Sequence, residues 1–294
     1  MFTDPTPDLD GPVAVIDSGL GGLTVVRALR ASVPGEHIVY FGDTARLPYG
    51  GKSAAAVTSF VTQILTFLRS TRPKHVILAC NTASALALSA ARGAFPELAI
   101  SGTIEPAARA AVEAAGSTPK PVIAVLATEA TVRSQAYATA VARRRHHARV
   151  VEVPCPLLVP IIEDGRDAHD PLARLAVAEY LRPVLARKPD VVVLGCTHYP
   201  VFRGVIARAV GPECVVIDSA EHAAQDVARR LVDDGLLRVT TSAGTLKCFA
   251  TDDPAKFRRL APRFLGSTLA EEPTLVQLGD AAPVTVEHLL RAAG

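Results

Sequence analysis

The stretch that decides the fold is His75–Ala85, "HVILACNTASA", read together with Asp190–Pro200, "DVVVLGCTHYP". Each is a short run of aliphatic, largely β-branched residues that breaks at a cysteine followed by small polar residues. A run this short and this apolar suits a strand buried on both faces better than a helix. Helical periodicity takes over after each, in "ASALALSAARGAF" and in "VFRGVIARAV". The chain therefore builds the same strand, cysteine and helix twice.

The same alternation recurs along the chain. "PVAVID", "HIVYFGD", "PVIAVLAT" and "CVVIDS" each precede an amphipathic stretch. Strands alternating with helices make crossover units, hence parallel sheets covered on both faces. A weak internal repeat overlies this pattern. The strand at Val13 runs into Asp17-Ser18 and leads on to Cys80; the strand at Val122 runs into Ala127-Thr128 and leads at similar spacing to Cys196. The expected architecture is α/β, with two pseudo-symmetric lobes of largely parallel sheets facing a central cleft.

Bulk properties narrow the function. The chain has 294 residues, 49% of them hydrophobic, enough for one large or two ordinary domains. Its 31 basic and 29 acidic residues leave a net charge of +2, too weak a field to make nucleic acid or membrane the main partner. The run Arg143-Arg144-Arg145-His146-His147 reads as a solvated helix end. "MFTDPTPDLDGP" lacks the apolar core of a signal peptide, and no apolar run reaches the length of a membrane span. The cytoplasm is the expected compartment.

Five cysteines without framework spacing argue against structural disulfides, and no C-x-x-C suggests a zinc site. Cys196 and His198 are half a metal site, so no metal is expected. Cys155, Cys214 and Cys248 sit among apolar or proline neighbours and read as structural. Cys80 and Cys196 are different. Both fall at strand carboxyl ends, where parallel sheets bind ligands, and both precede a helix whose N-terminus favours thiolate.

Two phosphate-loop look-alikes fail. "GLGG" does not complete G-x-G-x-x-G, because Thr24 occupies the last position, and Asp17 would set a carboxylate against pyrophosphate. Its glycines are expected to open room for a small ligand and to offer N–H groups to an anion. "YGGKS" has Arg46 where a phosphate loop needs glycine, so Tyr49-Gly50 is free to donate a phenol and a backbone N–H to a carboxylate. The six lysines read as loop or helix-surface residues, which leaves no Schiff-base candidate for pyridoxal phosphate, and no cofactor is expected.

Two thiols on opposite walls of a cleft suit inversion of a carbon stereocentre. One removes a proton from one face and the other returns a proton to the opposite face. Asp17 and His198 lie where they can tune one thiol each.

Five blocks, "DSGLGGLTV", "GDTARLPYGGKS", "ACNTASA", "CPLLVPIIEDG" and "LGCTHYP", resemble in this order the signature blocks of bacterial glutamate racemases in the Asp/Glu racemase family. The resemblance implies a cofactor-independent isomerase that interconverts L- and D-glutamate and supplies D-glutamate for peptidoglycan. It implies Cys80 and Cys196 as acid/base residues assisted by Asp17, His198 and Glu163. It implies substrate contacts from Asp17, Ser18, Tyr49, Gly50, Asn81, Thr82, Thr128, Thr197 and His198, with Thr131 and Ser134 on the facing loop. It implies a discontinuous first lobe, residues 1–104 and 217–294, around a second lobe of residues 105–216. A homodimer with a small-molecule substrate is expected. The alternatives are a racemase for aspartate or another acidic amino acid, and a non-catalytic binding or regulatory member of the family.

Overall fold

The computed structural model describes residues 8–279. Among the described residues ten strands run in chain order: β1 Val13–Asp17, β2 Ile38–Gly42, β3 His75–Leu78, β4 Ile100–Gly102, β5 Val122–Ala127, β6 Arg149–Pro154, β7 Val191–Gly195, β8 Val215–Asp218, β9 Leu246–Ala250 and β10 Thr274–Leu275. They form two sheets, one in the order β10-β9-β2-β1-β3-β4 and one in the order β6-β5-β7-β8. Every pairing is parallel.

The internal repeat in the sequence is a repeat of topology. Within the first sheet β2-β1-β3-β4 follow the same order as β6-β5-β7-β8 in the second. The strand that opens each half pairs with the strand that carries its cysteine: Ile16 lies opposite Leu78, and Leu126 opposite Leu194. After β8 the chain returns to the first sheet, adding β9 and β10 beyond β2. Residues 280–294, also expected in the first lobe, lie outside the described residues.

Helices on both faces explain the unbroken apolar runs. Every residue of β1, β2, β3 and β7 is buried. Local signals start the covering helices. Ser53 caps Ala54–Leu68 by accepting from Ala56 N, and Asp170 caps Pro171–Leu185 by accepting from Ala173 N, with Pro171 at the first helical position. Helix Ser219–Asp233, capped by Asp218, packs against Leu23–Ser32 and against Ile104–Ala114, joining material from both halves. Each fully buried Leu, Ile or Val in this core contributes about 1.5–3 kcal/mol.

The structure adds strands that the sequence did not reveal, corrects the reading of the lysines, and bears out the basic run as a solvated helix end. The strands β4, β6, β9 and β10 carry no clear apolar run: β4 and β10 are very short, and β6 is an edge strand with Glu152 half-buried and Pro154 exposed. Lys74 is not a loop-surface lysine. It is buried, its Nζ 2.6 Å from Oε2 of buried Glu36, with further bonds to the carbonyls of Leu9 and Leu236, and Lys247 lies within β9. The basic run does end a helix, Ala136–Arg144, but its arginines are engaged: Arg143 and Arg144 pair with Glu105, and Arg145 donates to the carbonyls of Gly116 and Thr118.

Candidate active site

β1, β3 and β7 end on the same side of the molecule, where their carboxyl ends converge. β1 ends in Asp17; Cys80 stands two residues beyond β3, at the cap of helix Asn81–Leu86; Cys196 follows β7 directly. Both thiols are 6% exposed and line one small cavity. Ser18, Tyr49, Gly50, Asn81 and Thr82 line it from the first half of the chain, and Thr128, Thr197 and His198 from the second. All the expected substrate contacts except Asp17 are thus brought to one place. Pro48 and Val159 complete the wall, and neither carries a chemical signal in the sequence.

The cavity is narrow. Its free space, about 20 Å³, holds about one water molecule. A cavity of about 650 Å³ lies elsewhere, beyond Ser84 and Ser134. Neither thiol reaches it, so size does not mark the site; convergence of reactive groups does.

Asp17 and Glu163 stand behind the thiols. Asp17 is wholly buried, accepting from Gly19 N at 3.0 Å and from the Thr197 hydroxyl at 3.3 Å. Burial pushes its carboxyl up from the usual carboxylate range, against the charge of His198 and the donors at Gly19, Gly22 and Thr197. Glu163 is no surface acid: its Oε1 lies 3.0 Å from Nε2 of His198, and Nδ1 of the same ring lies 4.0 Å from Sγ of Cys196. Burial lowers the His198 pKa, but the bonds and charges of Cys196 and Glu163 outweigh it and push the imidazole up to about 10. The contacts with Cys196 and Glu163 thus favour the charged imidazole.

Cys80 departs from expectation. Burial first, and the neighbouring Asp17 second, push its thiol up to about 12, against the Ala83 N–H and the Ser18 hydroxyl. The helix it caps has only six residues, and its N-terminus does not offset a dry, anionic setting. Burial and Asp17 together favour the neutral thiol of Cys80. Cys155, Cys214 and Cys248 are buried, and burial pushes each thiol up.

The glycines of "GLGG" also differ from their reading. None of them lines the cavity. A Cβ on Gly21 would lie 2.3 Å from Oγ1 of Thr197, and one on Gly22 would lie 2.6 Å from Cβ of Asp17. The room they open is filled by the protein itself. Gly50 does the same for the facing loop, where a Cβ would meet that of Thr128 at 2.8 Å.

Side-chain bonds tie the two halves across the cleft. Oγ1 of Thr82 lies 2.8 Å from that of Thr128 and 3.2 Å from that of Thr131. Asn81 accepts from the Tyr137 hydroxyl at 2.6 Å and donates to Ser219 at 3.2 Å. Its amide thus bridges Tyr137 and Ser219 and keeps one N–H and one lone pair unused, and Tyr137 and Ser219 went unnoticed in the sequence. Ser134 closes its own turn, donating to the Thr131 carbonyl, and does not line the cavity.

Comparison with known proteins points the same way. Residues 23–227 match the family described as Asp/Glu/Hydantoin racemase. A glutamate racemase of Neisseria meningitidis serogroup A is 41% identical over 268 residues, which cover 91% of this chain and 97% of that protein. The solved structure of a glutamate racemase isoform from Bacillus anthracis superposes with a TM-score of 0.85 at 32% identity, covering 92% of this chain and 99% of that one. A glutamate racemase from Francisella tularensis in complex with D-glutamate has a TM-score of 0.84 at 32% identity, covering 93% and 100%.

Proposed function

The chain belongs to the Asp/Glu racemase family and interconverts L- and D-glutamate, and on that premise we propose that Cys80 and Cys196 are its two acid/base groups. The D enantiomer feeds peptidoglycan synthesis. The observation that carries the assignment is the equivalence of the two thiols: each sits just past the corresponding strand of two sheets with one strand order, and both line one cavity.

In one direction the sulfur of one cysteine, as thiolate, takes the Cα proton, and the C–H electron pair passes into the carbanion. The thiol on the other wall then protonates the opposite face. One S–H bond forms and one breaks, and the stereocentre is inverted. The reverse direction exchanges the roles. Asp17 serves the Cys80 side. Glu163 holds His198 charged beside Cys196, where an imidazolium favours transfer to or from sulfur.

The substrate's ammonium and carboxylate groups find donors and acceptors in Ser18, Asn81, Thr82, Thr128, Thr197 and His198; the Tyr49 hydroxyl is given to Asp43 rather than left for a ligand as expected, so the backbone of the Tyr49-Gly50 turn receives the distal carboxylate. The cleft parts to admit substrate and closes to exclude water, which strengthens every charge interaction with the developing carbanion. Residues 1–104 with 217–294, and residues 105–216, are the parts that move. A homodimer working in the cytoplasm completes the proposal, and sedimentation of the purified protein checks its oligomeric state.

The test is proton NMR in deuterium oxide with L-glutamate, and separately L-aspartate, alongside circular dichroism. Loss of the glutamate Cα proton signal with decay of optical activity, both abolished in Cys80→Ala and in Cys196→Ala, is the expected result. Racemisation surviving in either variant overturns the two-thiol assignment. Turnover of aspartate alone keeps the chemistry and changes the substrate.

A further inference from the structure

Asp43 is a wholly buried carboxylate that lines no part of the cavity, yet four segments meet on it. Its Oδ2 accepts from the Tyr49 hydroxyl and, at 2.7 Å, from Nε of Arg46. Its Oδ1 accepts from the Thr251 hydroxyl at 2.9 Å, and its backbone N–H donates to the carbonyl of Asp17 at 3.0 Å. The site-forming end of β1, the end of β2, the turn that carries Tyr49-Gly50 and the end of β9 are thereby joined through one residue.

The Arg46 side chain is fixed in turn. Nη1 donates to Gln63 at 2.6 Å, and the guanidinium lies 4.2 Å from the centre of the Phe60 ring. That ring packs on Tyr49, with centroids 5.5 Å apart. A buried carboxylate needs this degree of pairing, because an unpaired charge in the interior is strongly destabilising. The pairing spends its precision on the turn. Tyr49 is 1% exposed, and Gly50 packs so tightly on Thr128 that a small shift of the turn changes the wall of the cavity.

We propose that Asp43 is a positioning residue that sets the reach of the active site, holding Tyr49-Gly50 at the distance that fits the distal carboxylate of glutamate. It touches no substrate and acts through Tyr49. Thr251 brings the returning part of the chain into the same role. The proposal rests on the substrate grip assigned above to Tyr49-Gly50.

The experiment compares Asp43→Asn, Thr251→Val, Tyr49→Phe and the double variant Asp43→Asn/Tyr49→Phe in the full-length enzyme. For Asp43→Asn the expected result is a KM for glutamate about tenfold higher with a smaller change in kcat, together with a lower preference for glutamate over aspartate in kcat/KM. Thr251→Val, which removes one of the three side-chain donors to Asp43 together with the acceptor for Ala45 N, shifts the same quantities less than Asp43→Asn does. The double variant matches the more impaired single variant, because both cut one connection. Additive effects, or a fall in kcat with KM and selectivity unchanged, overturn the proposal. Cα-proton exchange at saturating glutamate is retained in Asp43→Asn; its absence from the parent enzyme would instead sink the two-thiol reading.

Discussion

A side chain on Gly21 would collide with His198: a Cβ there lies 2.4 Å from Nδ1 of the imidazole, across a sequence separation that spans most of the chain. No positive φ calls for glycine at this position, so contact alone demands it. Gly21→Ala displaces the ring from Cys196 or pushes the two halves apart. Activity is expected to fall at least about tenfold, with about 1–3 kcal/mol of stability lost to overpacking. Steady-state kinetics beside urea titration checks both.

The raised pKa of His198 predicts a pH dependence of stability. Its folded-state pKa of about 10 lies above the ordinary 6.5, so the folded protein binds this proton more tightly than the unfolded chain. The stabilisation is full below pH 6.5 and is lost as pH rises through about 10, with a slope of at most about 1.4 kcal/mol per pH unit. His198→Gln removes that part of the slope. Urea midpoints across this window, parent against variant, measure the difference.

The threonine bridge predicts a looser cleft when one hydroxyl is removed. Thr128→Val keeps the branched shape but strips Thr82 and Thr131 of a shared partner and removes the cap on the Thr131 N–H. The expected cost is about 1 kcal/mol. Faster amide exchange at residues 129–132 and at Thr82, with the rest of the second sheet unaffected, distinguishes local opening from global destabilisation.

Lys74 and Glu36 form an ion pair whose side chains are 0% and 1% exposed. Lys74→Met leaves the Glu36 carboxylate buried without its partner, and about 3–5 kcal/mol of stability should be lost. Adding Glu36→Gln should recover much of that loss, because the stranded charge is gone. Thermal denaturation of the single and double variants decides the point.

How much of this was legible beforehand depends on the physical origin of each feature. β1, β3, β5 and β7 stand out because a strand buried on both faces must be apolar along its whole length, and the residue at which that run breaks marks the sheet's functional end. That reasoning led to Asp17, Cys80 and Cys196. β6 and β9 escaped it because half-exposed strands tolerate Glu152 and Lys247. Asp43 escaped too, although it follows β2 as Asp17 ends β1; its meaning lies in Thr251 and Tyr49, which no local pattern joins to it.

Sequence by itself determined the class, the doubled strand–cysteine–helix unit and the two cysteines proposed as reacting groups, because these follow from local periodicity and from chemistry intrinsic to a side chain. Tertiary structure decided the rest. It pushed the Cys80 thiol up and made the His198 imidazole more basic, since ionisation answers to burial and to neighbours supplied by distant segments. It gave the space beside Gly21 to Thr197 and His198 rather than to a ligand. It narrowed the cavity with Thr82, Thr128 and Thr131, a contact that exists only once the two halves pack face to face.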